Sequence, residues 1–305
     1  MHSQHSTTPG CGIEPDSMPR RSHARSVPSL RAGRQLAFLA VFGLAVSLAG
    51  SAEAESGTLD VSRMKLVFDD EFHDLSISSH GPGTTWIAHT PWNGDFGDAA
   101  FADPMPGFPF TLTPDGLRIE MRKLPDGRWQ SGLIASTDPE GNGFKRRYGY
   151  FEINTKLPAG PGIWPAFWLD SRPPADSPDP SLEIDVFEHY GKFPGNYNSS
   201  VGLWPKPGHG EHWSQMKIHD VQAGSLSERF HTYGVKVDPT WITFYFDRKE
   251  TWRVKTPAEH KHGLTILADL GLGSGWPIDQ TPNPSLMYIR YIRVYEDPSV
   301  AEPPK

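Results

Sequence analysis

Three acidic residues lie close together in a β-prone segment of this chain, the run SLEIDVFEHY at positions 181–190. Glu183 and Asp185 are two residues apart, which places their side chains on one face of a strand, whereas Glu188 falls on the opposite face of a regular strand. A β-bulge at Val186-Phe187 would absorb one residue and return Glu188 to the side of the other two acids. The pattern therefore predicts three carboxylates on one face.

Paired carboxylates can hydrolyse a glycosidic bond. At about 3.3 Å per residue the Cα atoms of Glu183 and Glu188 would be roughly 13 Å apart, and side chains leaning together on a concave sheet could approach to about 5 Å. That separation is typical of a retaining glycosidase, in which one carboxylate attacks the sugar. Two other interpretations stay open, a surface strand with solvated acids and a calcium site with carboxylate ligands. Mutual repulsion of the acids and the flanking Leu182, Ile184 and Phe187 argue against the surface strand.

A tryptophan-rich segment precedes the acids, GIWPAFWLD at positions 162–170. Trp164, Trp168 and Asp170 share one face of a strand, and apolar residues occupy the other face. Flat indole rings beside an acid can hold the C–H faces of sugar rings while the acid binds hydroxyl groups. The alternative is that both tryptophans belong to the core.

Strands are the elements that would position these residues. Residues 117–122 alternate perfectly between apolar and polar, as a strand with one solvated face does. Turn sequences such as PDG at 114–116 and PAG at 158–160 separate the segments, and no stretch keeps a helical period over three turns. The chain is therefore expected to be all-β, an antiparallel β-sandwich or jelly roll. Further alternating or β-rich segments lie at 65–68, 132–136, 151–157, 230–237, 241–246, 251–255 and 287–295.

Composition excludes several classes of protein. The 305 residues include one cysteine, which rules out an intramolecular disulfide and clustered cysteine metal sites. The net charge of −7 argues against a nucleic-acid partner, which requires a basic surface.

The N-terminal segment has the pattern of a secretory signal. Arginines lead into an apolar run at 36–50, and the sequence AEA at 52–54 forms a small-residue cleavage site. The run is short for a membrane span, so an uncleaved anchor is the weaker alternative. We expect residues 1–54 to be removed, 55–297 to form one catalytic domain and 298–305 to be a frayed tail. The mature protein is expected to be secreted or periplasmic, without a membrane partner.

Several motifs together resemble glycoside hydrolase family 16, the β-jelly-roll endoglycanases that include laminarinases, lichenases and exopolysaccharide depolymerases. The resemblance spans most of the chain after residue 54 and implies a concanavalin A-like fold, whose curved sheets form a concave substrate cleft. The motifs that carry it are FDDEF at 68–72, YGYFE at 148–152, WPAFW at 164–168, EIDVFE at 183–188, FHTYG at 230–234 and YIRVY at 291–295.

The resemblance implies a role for each acid. Glu183 would be the nucleophile, Glu188 the general acid and then the general base, and Asp185 the residue that tunes both. Burial and neighbouring negative charges would keep Glu188 protonated near neutral pH. No cofactor is required.

The remaining site predictions concern the groove and a metal. Trp92, Asn93 and Tyr190 are candidate substrate-binding residues beside Trp164 and Trp168. Gly202 stands where many family members have a substrate-binding histidine, which His209 or His212 could replace. Arg290 stands where many members offer an aspartate to a structural calcium, so no metal is expected.

The expected function is that of a secreted endo-β-glycanase, acting on β-1,3-glucan, mixed-linkage β-1,3-1,4-glucan or a bacterial exopolysaccharide by the retaining mechanism. The polysaccharide would be the only partner of a monomer. The alternatives are a non-catalytic lectin on the same fold and a transglycosylase. A lectin has no need of two glutamates in this arrangement, which favours the enzyme.

Overall fold

Strands dominate the computed structural model, which describes residues 58–92 and 94–300. Helical structure within this part is limited to a 3-10 turn, Val61–Arg63, and the short helix α1, Ser225–Glu228. The strands in chain order are β1 (Lys65–Asp70), β2 (Ile77–Ser78), β3 (Trp86–Ile87), β4 (Ala99–Phe101), β5 (Phe110–Thr113), β6 (Gly116–Lys123), β7 (Trp129–Ser131), β8 (Leu133–Ala135), β9 (Lys145–Arg146), β10 (Gly149–Lys156), β11 (Ile163–Ser171), β12 (Ser181–Glu188), β13 (Asn196–Trp204), β14 (Trp213–Asp220), β15 (His231–Val237), β16 (Trp241–Phe246), β17 (Lys249–Lys255), β18 (Leu264–Leu272) and β19 (Ser285–Glu296).

The strands form two sheets. The ten-stranded sheet has the order β17-β16-β15-β10-β19-β6-β7-β4, with β1 on β19 and β5 on β6. The nine-stranded sheet has the order β14-β13-β12-β11-β18-β8-β3-β2, with β9 on β18. The long strands pair antiparallel, and only the short pairs β2–β3 and β4–β7 are parallel among the described strands. The predicted all-β sandwich is confirmed.

The main hydrophobic core lies between the sheets. In β6 the predicted alternation holds, since Leu117, Ile119 and Met121 are fully buried and the residues between them are not. Phe187 of β12 meets Tyr233 of β15 across the interface, with ring centroids 4.3 Å apart. This contact joins the strand that carries the three acids to the opposite sheet.

A second, smaller apolar cluster covers the other face of the nine-stranded sheet. Residues that are opposite each other on paired strands share a face, and this cluster occupies the same face as the acids of β12. The loop before β4 contributes to it, because Trp92 and Phe96 pack against it. Its buried members are Ile87, Phe101, Leu133, Ala135, Ala166, Trp168 and Leu267.

The described residues all lie within one compact unit. The predicted signal, residues 1–54, lies outside the described residues, so its cleavage and the predicted domain limits stay predictions. At the other end Val300 packs against the core, and the rest of the tail is likewise outside. In the described part of the chain no helix has the length and apolar character needed to cross a membrane.

Candidate active site

The predicted bulge is present in β12. Asp185 pairs with Ser200 of β13 and Glu188 pairs with Asn198, so three steps along β12 correspond to two along β13. The register against β11 shifts at the same place. The extra residue, Val186, points into the main core, as does Phe187. The bulge thereby returns Glu188 to the face of Glu183 and Asp185, as predicted.

Five carboxylates share this face, which is called the carboxylate face below. Asp170 of β11 is opposite Glu183, and Ala166 of β11 is opposite both Glu188 and Asp269 of β18. Asp170, predicted on the face of the two tryptophans, thus joins the three predicted acids, and the structure adds Asp269. The members of the carboxylate face are Asp170, Glu183, Asp185, Glu188 and Asp269.

Two aromatic side chains hold Glu188. The indole Nε1 of Trp164 donates to Glu188 Oε1 at 2.9 Å, and the Tyr190 hydroxyl donates to the same oxygen at 3.1 Å. The two rings are nearly parallel, at 11°, with centroids 6.2 Å apart. Because both donors use Oε1, the proton of a neutral Glu188 belongs on Oε2.

The other two predicted acids have partners on β13. The Ser200 hydroxyl donates to Asp185 Oδ2. Trp204, at the end of β13, hydrogen bonds to Glu183. Each of the three acids therefore has a donor that holds its side chain in place.

Burial and mutual repulsion raise the pKa values of the three acids. Burial, followed by the charges of Asp170 and Glu188, raises the pKa of Glu183 to about 7. Burial and the two glutamates raise the pKa of Asp185 well above its usual range. Burial also raises the pKa of Glu188, and the bonds from Trp164 and Tyr190 oppose the rise. Because the charges of these carboxylates act on one another, each titration step is a property of the whole cluster and not of one residue. The cluster as a whole retains protons near neutral pH.

The predicted groove residues differ in exposure. Trp164 and Tyr190 are half-buried beside Glu188. Trp92 is half-buried and meets Trp168 edge to face, with centroids 5.8 Å apart. Asn93 lies outside the described residues. Sugar binding by these residues stays a prediction.

Trp168 differs from the open platform that was predicted. It is only 6% exposed, because the apolar cluster on this face encloses it, and its Nε1 donates to Asp269 Oδ1 at 2.9 Å. Its ring therefore forms part of the floor of the site and has little surface left for a sugar.

Sequence reasoning missed two residues of this face. Trp204 is 42% exposed and lies against His212, with ring centroids 4.0 Å apart. A Cβ at Gly202 would be 3.7 Å from His212 Nε2, so His212 lies next to the position where the family histidine is absent. Asp269 was also missed, although a lone acid within the apolar run of β18 was a usable signal.

No metal cluster stands out in the described ranges, where no group of three His, Cys, Asp or Glu side chains is arranged to hold an ion. Arg290 lies over the Phe230 ring, 3.8 Å from its centroid, and 3.3 Å from Asp115. A guanidinium in this position opposes a cation, and the absence of a structural calcium stays a prediction.

A sandwich with paired glutamates on one sheet face defines a class, the glycoside hydrolases that work through two carboxylates. Comparison with known families agrees, because the model of the glycosyl hydrolases family 16 matches residues 109–289. The chain belongs to this family.

Individual relatives are more distant. The chain is 28% identical over 261 residues to the endo-1,3-1,4-beta-glycanase ExsH of Rhizobium meliloti, covering 78% of this chain and 53% of that protein. It is 24% identical to the glucan endo-1,3-beta-glucosidase A1 of Niallia circulans, covering 78% and 38%. The chain thus spans about half the length, or less, of these curated relatives.

A solved structure shares the fold. The laminarinase catalytic domain of Thermotoga maritima superposes with a TM-score of 0.60 at 23% identity, covering 77% of this chain and 98% of that domain. At this identity the likeness supports the jelly-roll sandwich.

Proposed function

We propose that the protein is an endo-β-glucanase that cleaves internal β-glycosidic bonds with retention of configuration. The observation that carries the proposal is the bulge in β12, which places Glu183 and Glu188 on one face of the sheet with Asp185 between them. An ordinary strand with this sequence would point Glu188 into the core.

The first step forms a covalent intermediate. One carboxylate oxygen of ionised Glu183 attacks the anomeric carbon as the bond to the leaving oxygen breaks, and Glu188 donates its proton to that oxygen. The bonds from Trp164 and Tyr190 then stabilise the Glu188 carboxylate that this transfer creates.

The second step releases the sugar. Ionised Glu188 takes a proton from water, the water oxygen attacks the anomeric carbon, and the bond to Glu183 breaks. Two displacements on one carbon give net retention. The raised pKa of Glu188 suits a group that exchanges a proton in both steps, and Glu183, whose pKa lies at about 7, must lose its own proton before it attacks.

The relatives support a glucan as substrate. ExsH is named as an endo-1,3-1,4-beta-glycanase and the Niallia circulans protein as a glucan endo-1,3-beta-glucosidase. We propose β-1,3-glucan or mixed-linkage β-1,3-1,4-glucan, or a bacterial exopolysaccharide with such linkages, as the substrate. Screening a panel of these polymers for reducing-end release tests this choice.

Replacement of Glu183 by Gln tests the mechanism. We expect the rate of reducing-end release to fall at least about 10³-fold in Glu183→Gln. This factor corresponds to the loss of a transition-state interaction of about 4 kcal/mol. Glu120→Gln on β6, which belongs to the other sheet, is the matched control and should retain activity. Unchanged release by Glu183→Gln would contradict the assignment.

We further propose that the protein is exported and acts as a monomer. The charged, apolar and small-residue pattern of residues 20–54 supports export. N-terminal sequencing of protein from the culture medium should begin at Glu55, and light scattering should give the mass of one chain.

A further inference from the structure

Asp269 lies at the base of the carboxylate face and has no part in the two displacements. It is fully buried on β18, opposite Ala166 of β11 and Leu133 of β8. A carboxylate at such a place must be paired or lose its charge, because burial of an isolated ion costs many kcal/mol.

Only one oxygen of Asp269 has a side-chain donor. Oδ1 accepts the bond from Trp168 Nε1 at 2.9 Å, whereas Oδ2 is buried without a well-aligned donor among the described residues, and the backbone N–H of Gly271 acts on the carboxyl only weakly. Nor does any lysine or arginine in the described part of the chain form an ion pair with Asp269. A proton on Oδ2 would remove the charge and leave Oδ1 free to accept from Trp168.

The space around Oδ2 is set by Gly271. A Cβ at Gly271 would lie 3.3 Å from Asp269 Oδ2, 3.1 Å from the Trp164 ring and 2.7 Å from the Trp164 carbonyl oxygen. A side chain at position 271 would therefore meet both Trp164 and Asp269 Oδ2, and the glycine leaves this space free.

The charged groups that act on Asp269 are all negative. Glu188 and Asp185 of β12 interact with it, while its neighbours on β11, Ala166 and Trp168, are uncharged. Burial is the largest effect and raises the pKa of Asp269 to about 8; the bond from Trp168 opposes the rise, the charge of Glu188 adds to it, and the backbone N–H of Gly271 opposes it weakly.

We propose that Asp269 acts as a neutral carboxylic acid, a positioning residue that fixes Trp168 beneath the reacting glutamates without adding a charge beside Glu188. Its role in turnover rests on the proposed function. Its neutral state does not, because it follows from burial and from the unpartnered Oδ2.

Replacement of Asp269 by Asn tests the neutral state without an activity measurement. A buried acid whose pKa is higher in the folded than in the unfolded protein binds its proton more tightly when folded, so the wild type loses stability as the pH rises from about 4 to about 8. Asn does not titrate. The difference in Tm between Asp269→Asn and the wild type should therefore grow by several degrees from pH 5 to pH 8 and then level off.

Two further measurements complete the test. The infrared band of a protonated carboxyl group should be weaker at pH 7 in Asp269→Asn than in the wild type. At pH 6 Asp269→Asn should keep kcat/KM within about twofold, because Asn also accepts from Trp168, whereas Asp269→Leu leaves the indole N–H without an acceptor and should lose at least fivefold.

The outcomes separate the two proposals. A Tm difference that does not change between pH 5 and pH 8, or an unchanged infrared band, would overturn the neutral state of Asp269. Equal activity of Asp269→Leu and the wild type would overturn its positioning role. Absence of glucan hydrolysis in the wild type would contradict the proposed function and leave the Tm and infrared results intact.

Discussion

Removal of the Tyr190 hydroxyl should move the alkaline limb of the pH profile to higher pH. Tyr190 donates to Glu188 Oε1 at 3.1 Å, and this bond stabilises the ionised form of Glu188. The distance is long for a hydroxyl bound to a carboxylate, so the bond belongs at the low end of the range for charged partners, about 1.5 kcal/mol. One pKa unit corresponds to about 1.4 kcal/mol. Tyr190→Phe should therefore raise the pKa of Glu188 by about one unit.

The assay is the pH profile of kcat/KM on the best glucan. Glu188 must be protonated for the first step, so activity falls as the pH rises through its pKa. The alkaline limb of the Tyr190→Phe profile should therefore lie about one pH unit higher than that of the wild type, and the plateau below it should be lower, because the carboxylate formed on proton transfer has lost one donor. Tyr245→Phe on β16 of the other sheet is the control and should leave the profile unchanged. An alkaline limb of Tyr190→Phe that stays in place or moves to lower pH would refute this reasoning.

Two further predictions concern stability. Arg248→Ala should lower the free energy of unfolding by about 3 kcal/mol, because it removes the guanidinium that makes two hydrogen bonds to the fully buried Glu152. Arg253→Ala breaks only the exposed pair with Glu250 and should lower it by less than about 1 kcal/mol. Urea unfolding measures both changes. Addition of a chelator should leave Tm unchanged, because Arg290 opposes a cation at the final strand, and a Tm lowered by several degrees in calorimetry would show a structural metal.

Local patterns predicted much of the fold and the catalytic strand. The alternation of 117–122 is a property of the strand itself, and the structure reproduces it in β6. The bulge could also be predicted, because Glu183, Asp185 and Glu188 cannot all lie on one face of a regular strand. A bulge that accommodates one extra residue places them on the same face. In both cases the information lies within one short segment.

Contacts between distant segments were harder to predict. Trp168 has the parity of a groove residue, but a loop more than 70 positions earlier brings Phe96 to within 6.0 Å of its ring centroid and helps to enclose it. Asp269 joins the site because β18 pairs with β11, and no local pattern specifies that pairing. Strand β14 is exposed along almost its whole length, so it lacks the burial-driven alternation from which strands are predicted.

The extra residue in β12 has a consequence for insertions and deletions. Val186 is the residue that the bulge accommodates, and its removal would leave the glutamates four positions apart in a regular strand, where even spacing alone puts them on the same face. Two strand lengths, one with the bulge and one without it, can therefore present the same pair of acids. At this position a one-residue deletion changes the length of the strand and preserves the side on which its chemistry takes place.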